Sequence, residues 1–155
     1  MKRLYFAYGS NMPTKRLRSR IASAKPLGIG QINGKRMVCN KKGKDGSGKG
    51  NLTDSPGDTT WGVLYEVTES DLKELDRMEV GYDRVPVEVW TSEGDAVKAE
   101  TYISTILTDD PVAHDWYKEL MLSGAKEHGL PKGYINYLEQ LPARPGKVKV
   151  NGVKP

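Results

Sequence analysis

Cysteine, histidine and long apolar runs are what this chain has least of. Its 155 residues include one cysteine, Cys39, and two histidines, His114 and His128. A single cysteine forms no internal disulfide, which agrees with a reducing compartment. A nucleophilic cysteine wants a partnering base. Both histidines lie far along the chain from Cys39, which therefore reads as a plain buried strand residue. His114 and His128 have no Cys or paired acids near them, so no metal site is expected. No apolar run approaches the ~20 residues of a transmembrane helix. The start, Met1–Phe6, passes from two charges into an apolar segment of about five residues, short of the ~7–15 of a secretory signal. The expectation is a cytoplasmic protein with no membrane partner.

Acid is scarce in the first third. Residues 1–49 hold 13 of the 24 Lys and Arg but one acid, Asp45, and the remainder is net acidic. Opposite signs predict mutual neutralisation within one domain. The rival reading, a basic nucleic-acid face, lacks a motif or a basic stripe interleaved with aromatics, so no nucleic-acid partner is expected. A chain of this length, 37% hydrophobic and 28% charged, fits one domain with one core. Residues 1–143 are read as that domain and 144–155 as a basic tail, either a surface strand or disordered.

Hydrophobic patterning predicts about six strands and four helices. Arg3–Tyr8 reads as a buried first strand ending at Gly9-Ser10-Asn11. Pro13 opens a short basic helix over Thr14–Arg20. Lys25–Gln31 and Lys35–Asn40 read as strands flanking a turn at Asn33-Gly34. Lys41–Gly50 reads as an exposed, mobile loop, and Asp54–Asp58 as a second turn. Trp61–Val67 is a strand. Thr68 and Asp71 stand at capping-box spacing before a helix carrying Leu72, Leu75 and Met78, with Glu79 at its end. Val85–Thr91 and Val97–Ser104 form a hairpin. Asp110-Pro111 starts a longer helix with Val112, Trp116, Tyr117, Leu120 and Met121 inward, and Gly124 and Gly129 mark its end region. Pro131 opens a last short helix. Elements neither alternating nor segregated argue for α+β with a mixed, curled sheet.

Familiar phosphate and nucleophile motifs fail. Gly43–Gly50 lacks the Ser or Thr that a P-loop needs after its lysine. Gly28–Gly34 misses the dinucleotide fingerprint by one position. No serine sits in a G-x-S-x-G elbow. Two local features remain. The turn Tyr8-Gly9-Ser10-Asn11-Met12 offers close backbone approach and free N–H groups able to hold a carboxylate or a developing oxyanion; its bland reading is a capped turn. Glu79 sits at a helix C-terminus, where the dipole and burial favour the protonated form, as a general base near neutrality requires; its bland reading is an exposed loop Glu.

Together these features resemble a family. Tyr5-Phe6-Ala7-Tyr8-Gly9-Ser10-Asn11 looks like the signature of the γ-glutamylcyclotransferases. Ser55-Pro56-Gly57-Asp58 with Trp61-Gly62-Val63-Leu64-Tyr65, Leu75-Asp76-Arg77-Met78-Glu79, and Gly124–Pro131 follow in the family's order. Val80 intervenes where the family often has Gly directly after its glutamate, and residues 41–50 and the tail match nothing in the pattern. The resemblance implies a small barrel-like mixed sheet with flanking helices and a homodimer in some members. It implies Glu79 as catalytic acid/base and a γ-glutamyl group bound at Tyr8, Gly9, Ser10, Asn11 and Met12. It places Tyr82, Tyr102 and Tyr117, and less firmly Tyr134, around the pocket, where the alternative for each is core packing. The implied reaction releases 5-oxoproline and needs no cofactor. Alternatives are a specialised γ-glutamyl metabolite as substrate, or a binding module without turnover. A lid role for residues 41–50 is a further option.

Overall fold

A computed structural model describes residues 1–146. Its centre is a closed five-stranded barrel of β1 (Lys2–Ala7), β2 (Lys25–Lys42), β3 (Gly48–Thr68), β4 (Asp83–Thr91) and β5 (Ala96–Ile103), in the order β1-β3-β2-β4-β5. The pairings are antiparallel except where β5 meets β1, with Tyr5 opposite Glu100, to close the ring. Around it lie α1 (Thr14–Arg20), α2 (Glu69–Met78), α3 (Asp115–His128) and α4 (Lys132–Glu139). The two-residue strands β6 (Ala113–His114) and β7 (Ala143–Arg144) pair beside α3. The α+β barrel expected from the sequence is therefore present.

β3 shows why the sheet curls. Val63, Leu64, Tyr65 and Val67 are all buried, so both faces of this strand are covered, one by the barrel interior and one by helices. The β2–β3 ladder shifts register at three places, and such bulges bend a sheet enough to close it. One shift corrects two expectations. Asn33-Gly34 is not a turn between strands, and Asp54–Asp58 does not end one. Both strands run on, with Lys35 opposite Asp54 and Asn33 opposite Thr59, so residues 55–58 bulge out against Gly34 at φ +79°. The long ladder on either side holds both segments in one barrel wall and overrides the local turn chemistry.

Residues 41–50 are also not the mobile loop expected. Lys41 and Lys42 continue β2, Gly48 begins β3, and the tight connection between them closes through Gly43 N–H donating to Ser47 O at 2.9 Å. Lys41 and Ser47 are buried. The long helix starts at Asp115 rather than near Pro111. Val112 O accepts from Gly48 N–H and Ala113 N–H reaches Pro142 O, so these backbone groups pair with other elements instead of opening a helix.

Several local readings are realised. Thr68 Oγ1 accepts from Asp71 N–H at 3.2 Å and caps α2. Leu72 and Leu75 are fully buried, while Met78 is 36% exposed. Cys39 lies buried in β2, and burial pushes its thiol up to about 12. The opposed charges of the two parts pair across the fold, as Lys2–Glu66, Arg3–Glu69, Arg3–Glu100 and Lys35–Asp54. Of the tail, Arg144 forms part of β7 and pairs with Asp110 at 2.9 Å. The reading of its remainder lies outside the described residues.

Gly124 sits inside α3, not at its end, where the helix crosses the Met12-Pro13 segment. A Cβ there would stand 2.5 Å from Met12 Cβ and 2.7 Å from Pro13 N. Alanine gains about 1 kcal/mol of helix propensity over glycine, but main-chain atoms cannot rotate aside, and overpacking costs about 1–3 kcal/mol. Gly124→Ala is expected to lower unfolding stability by about 1–2 kcal/mol in urea denaturation, against the gain that propensity alone would give.

Candidate active site

The site is assembled from the end of β1, the end of α2 and the β2–β3 hairpin. β1 delivers the chain to the turn Gly9–Met12, which closes with Met12 N–H donating to Gly9 O at 3.2 Å. Tyr65 OH donates to Met12 O at 2.8 Å and lies 3.0 Å from Thr14 Oγ1. Glu127 accepts from Thr14 N–H, and His128 Nε2 lies 3.1 Å from Thr14 Oγ1. The turn is thus clamped from behind by β3 and α3. Among the described residues, the N–H groups of Ser10 and Asn11 donate to no protein acceptor.

Glu79 caps the C-terminus of α2, its N–H still bonded to Leu75 O. Burial of Leu72 and Leu75 fixes the helix on the barrel. Tyr102 OH donates to Asp76 Oδ1 at 2.6 Å, and Arg84 Nε reaches the same oxygen at 3.0 Å. The helix end cannot swing away without breaking both. Its carboxylate is directed at the turn. Asn11 Nδ2 donates to Glu79 Oε1 at 2.8 Å and to Tyr5 OH at 3.0 Å. Arg20 Nη1 donates to Asn11 Oδ1 at 2.8 Å and stands 3.4 Å from Glu79 Oε1.

A cleft of about 310 Å³, counting space open to solvent, lies between them. The turn contributes Tyr8, Gly9, Ser10 and Asn11, and Glu79 faces them. Tyr82, Tyr102 and Tyr117 complete the wall with Tyr5 and Gly50. Gly50 is held by two phenols: its N–H donates to Tyr117 OH at 2.9 Å and its O accepts from Tyr82 OH at 2.7 Å. Tyr8 OH donates to Tyr102 O at 2.5 Å. Burial, reinforced by neighbouring phenols and by the Glu79 charge, pushes Tyr8 and Tyr82 far above the ordinary phenol value. Tyr117 is pushed up to about 12, chiefly by burial. The cleft therefore offers neutral hydroxyls and one carboxylate, and two of the residues lining it, Ser10 and Asn11, carry main-chain N–H groups with no acceptor among the described residues.

Of the residues singled out from the sequence, two do not line this cleft. Met12 is fully buried and packs toward α3. Tyr134 stacks near Tyr137, beyond the β2–β3 wall. Tyr5, Arg20 and Gly50 belong to the site but were not named for it. Tyr5 stands in the same aromatic run as Tyr8. The basic face of α1 was visible, but nothing in it distinguished Arg20 from its neighbours.

The AIG2-like family model matches residues 59–138. A human protein named gamma-glutamylcyclotransferase is 34% identical over 149 residues, covering 90% of this chain and 77% of the human one. The chain belongs to the γ-glutamylcyclotransferase family. A bovine protein of the same name is 33% identical over 157 residues, covering 96% of this chain and 83% of its own. A solved structure titled Gamma-glutamyl cyclotransferase superposes with a TM-score of 0.91 at 30% identity, covering 97% of this chain and 95% of that one. The likeness extends over nearly the whole chain.

Two consequences follow from the phenols. Tyr117→Phe leaves the buried Gly50 N–H without an acceptor, and an expected loss of about 1–3 kcal/mol would appear in denaturant titration. Tyr117 also binds its proton more tightly folded than unfolded, about 12 against 10.0. Its contribution to stability is complete below pH 10 and declines as pH rises through 12, by up to about 1.4 kcal/mol per pH unit. Denaturation midpoints measured from pH 9 to 12 should fall, and fall less in Tyr117→Phe.

Proposed function

We propose that the protein converts γ-glutamyl compounds into 5-oxoproline and a free amine, with Glu79 as the general acid/base. The observation that carries this reading is the meeting of one carboxylate with two unoccupied main-chain donors in one tyrosine-walled cleft. The membership of the family, with relatives named for this activity, supports it.

The chemistry is an intramolecular aminolysis. The substrate's α-ammonium gives a proton to Glu79. The freed nitrogen attacks the γ-amide carbon of the same molecule, and the carbonyl oxygen becomes an oxyanion. The N–H groups of Ser10 and Asn11 are the donors suited to receive it. The bond from the γ-carbon to the leaving nitrogen then breaks as Glu79 returns the proton to that nitrogen. The ring nitrogen sheds its second proton to the departing amine and becomes the lactam N–H. No atom is gained or lost. Holding a flexible chain in the curled near-attack shape supplies roughly 7–11 kcal/mol of such a barrier. Proton transfer by a positioned group adds about 10²–10⁴-fold.

Asn11 and Arg20 have a positioning role in this scheme. Asn11 fixes one carboxylate oxygen toward the turn, and Arg20 orients the Asn11 amide. Tyr82 and Tyr117 shape the wall by holding Gly50. A cytoplasmic location and a homodimer accompany the reading as properties of the family resemblance; no described helix is long and apolar enough to cross a membrane.

Glu79→Gln keeps the shape and the amide contact but removes the base. Release of 5-oxoproline from a γ-glutamyl amino acid, followed by chromatography, is expected to fall by roughly two to four orders of magnitude. An unaltered circular dichroism spectrum would show that the fold persists. Near-full activity would end the assignment, and binding without product over hours would mark a binding module.

A further inference from the structure

Beyond the cleft at Glu79 lies a second, wider space of about 990 Å³, again counting open solvent. The two spaces share Ser10, Glu79, Tyr82 and Tyr117. On the cyclotransferase reading, a substrate whose γ-amide sits at Glu79 has this outer cleft as room for its leaving group. Its walls are cationic. The helix α1 supplies two arginines and the hairpin supplies Lys41, Lys44 and Lys49, against two carboxylates, Asp45 and Glu79.

Both carboxylates are already engaged. Asp45 accepts from Ser47 Oγ at 2.6 Å and Ser47 N–H at 3.0 Å, with His114 Nδ1 at 3.4 Å and Lys49 Nζ at 3.5 Å. Burial raises its carboxyl, but these partners outweigh burial and bring it down to about 2, so it stays charged and tied. Glu79 is held by Asn11 and Arg20. Among the described residues Lys41 forms no ion pair. Its Nζ instead stands 5.2 Å from the ring centroid of Tyr82, against Gly81, although the residue is only 8% exposed. Lys49 Nζ faces the ring of Trp116 at 4.5 Å and that of Tyr117 at 4.9 Å. Lys49 has Asp45 as its counter-charge, whereas the ring of Tyr82 holds the Lys41 ammonium in place without neutralising it. A buried ammonium such as Lys41, with no ion pair of its own and only the more distant charges of Glu79 and Asp45 to offset it, is unfavourable in the empty protein and becomes favourable when an anion arrives.

Any γ-glutamyl amino acid brings one carboxylate on its leaving group. The outer cleft holds more positive charge than one carboxylate satisfies. Resting on the cyclotransferase reading, we infer that this cleft selects leaving groups with a second negative charge, namely acidic amino acids in γ-glutamyl linkage, through Lys41 and Lys44. The hairpin 41–50 is then the specificity element of the enzyme.

The test compares γ-glutamyl-glutamate with γ-glutamyl-glutamine, which match in shape and differ in one charge. γ-Glutamyl-alanine serves as the reference for turnover. The expected result is a kcat/KM about 10-fold or more higher for the glutamate compound, the scale of one charge-assisted hydrogen bond. That ratio should fall toward one in Lys41→Met and in Lys44→Met, and also as salt is raised, because exposed charges are screened within about 10 Å. Lys44 is exposed, so its variant tests the point even if the Lys41 change disturbs folding. Equal kcat/KM for the two compounds overturns the inference and leaves the cyclotransferase reading intact. A ratio that persists in both variants removes these lysines from the selection. No 5-oxoproline from any of the three compounds overturns the reading itself.

Discussion

One side-chain amide holds this site together. Asn11 donates from Nδ2 to the Glu79 carboxylate and to the Tyr5 phenol, and its Oδ1 accepts from Arg20. The orientation of the amide is forced by its partners. Turned over, it would set oxygen against carboxylate and NH₂ against guanidinium, two repulsions in place of two attractions. Asn11 is buried, so its amide has no ready access to water as a substitute for these partners. The link joins the end of β1 to the end of α2, and through Arg20 to α1. The remaining architecture keeps these three ends within reach of one side chain.

The barrel does this by indirect means. Tyr102 grips Asp76 and so the last turn of α2. Tyr65, Glu127 and His128 grip the turn from behind through Met12 and Thr14. Tyr82 and Tyr117 grip Gly50. Each phenol uses a ring to fill the core and a hydroxyl to place a segment of main chain, which is the value of tyrosine at such positions. The cleft walls are consequently stiff and neutral, and its formal charge is concentrated on Glu79 and the cations around it. The surplus of positive charge in the first third is divided between two uses. Part is neutralised by acids across the fold, as in Lys2–Glu66 and Arg3–Glu100. Part is gathered around the outer cleft.

Much of the fold was legible wherever a signal was local. The Thr68 cap, the helix behind it, the β4–β5 hairpin and the short helix after Pro13 depend on neighbours in sequence, and each appears where the pattern places it. The errors share one cause. Asn33-Gly34 and Asp54–Asp58 carry turn chemistry, yet they face each other within a long ladder and became a bulge. Residues 41–50 lack apolar side chains and read as a loose loop, but their backbone pairs with itself, with Val112 and with the residues near Ile106 and Thr108. Pro111 resembles a helix start, but the segment after it is claimed by the hairpin and by Pro142. In each case backbone hydrogen bonds to distant residues outweighed the local preference.

The sequence by itself determined the chemical vocabulary: one carboxylate at a helix end, a glycine-bearing turn after the first strand, a supply of tyrosines, and no disulfide. It also carried the order of motifs that resembles the family. Only the tertiary structure decided which of these groups meet. Arg20 could not be told from the other basic residues of its helix, nor Met12 from a ligand contact, until α1 and α3 were packed against the turn. Gly50 acquired a place in the cleft only when two phenols closed on it. The physical reason is that patterning reports which face of an element is buried, whereas a site requires particular atoms within about 3 Å. That precision comes from barrel closure and side-chain packing between segments far apart in the chain.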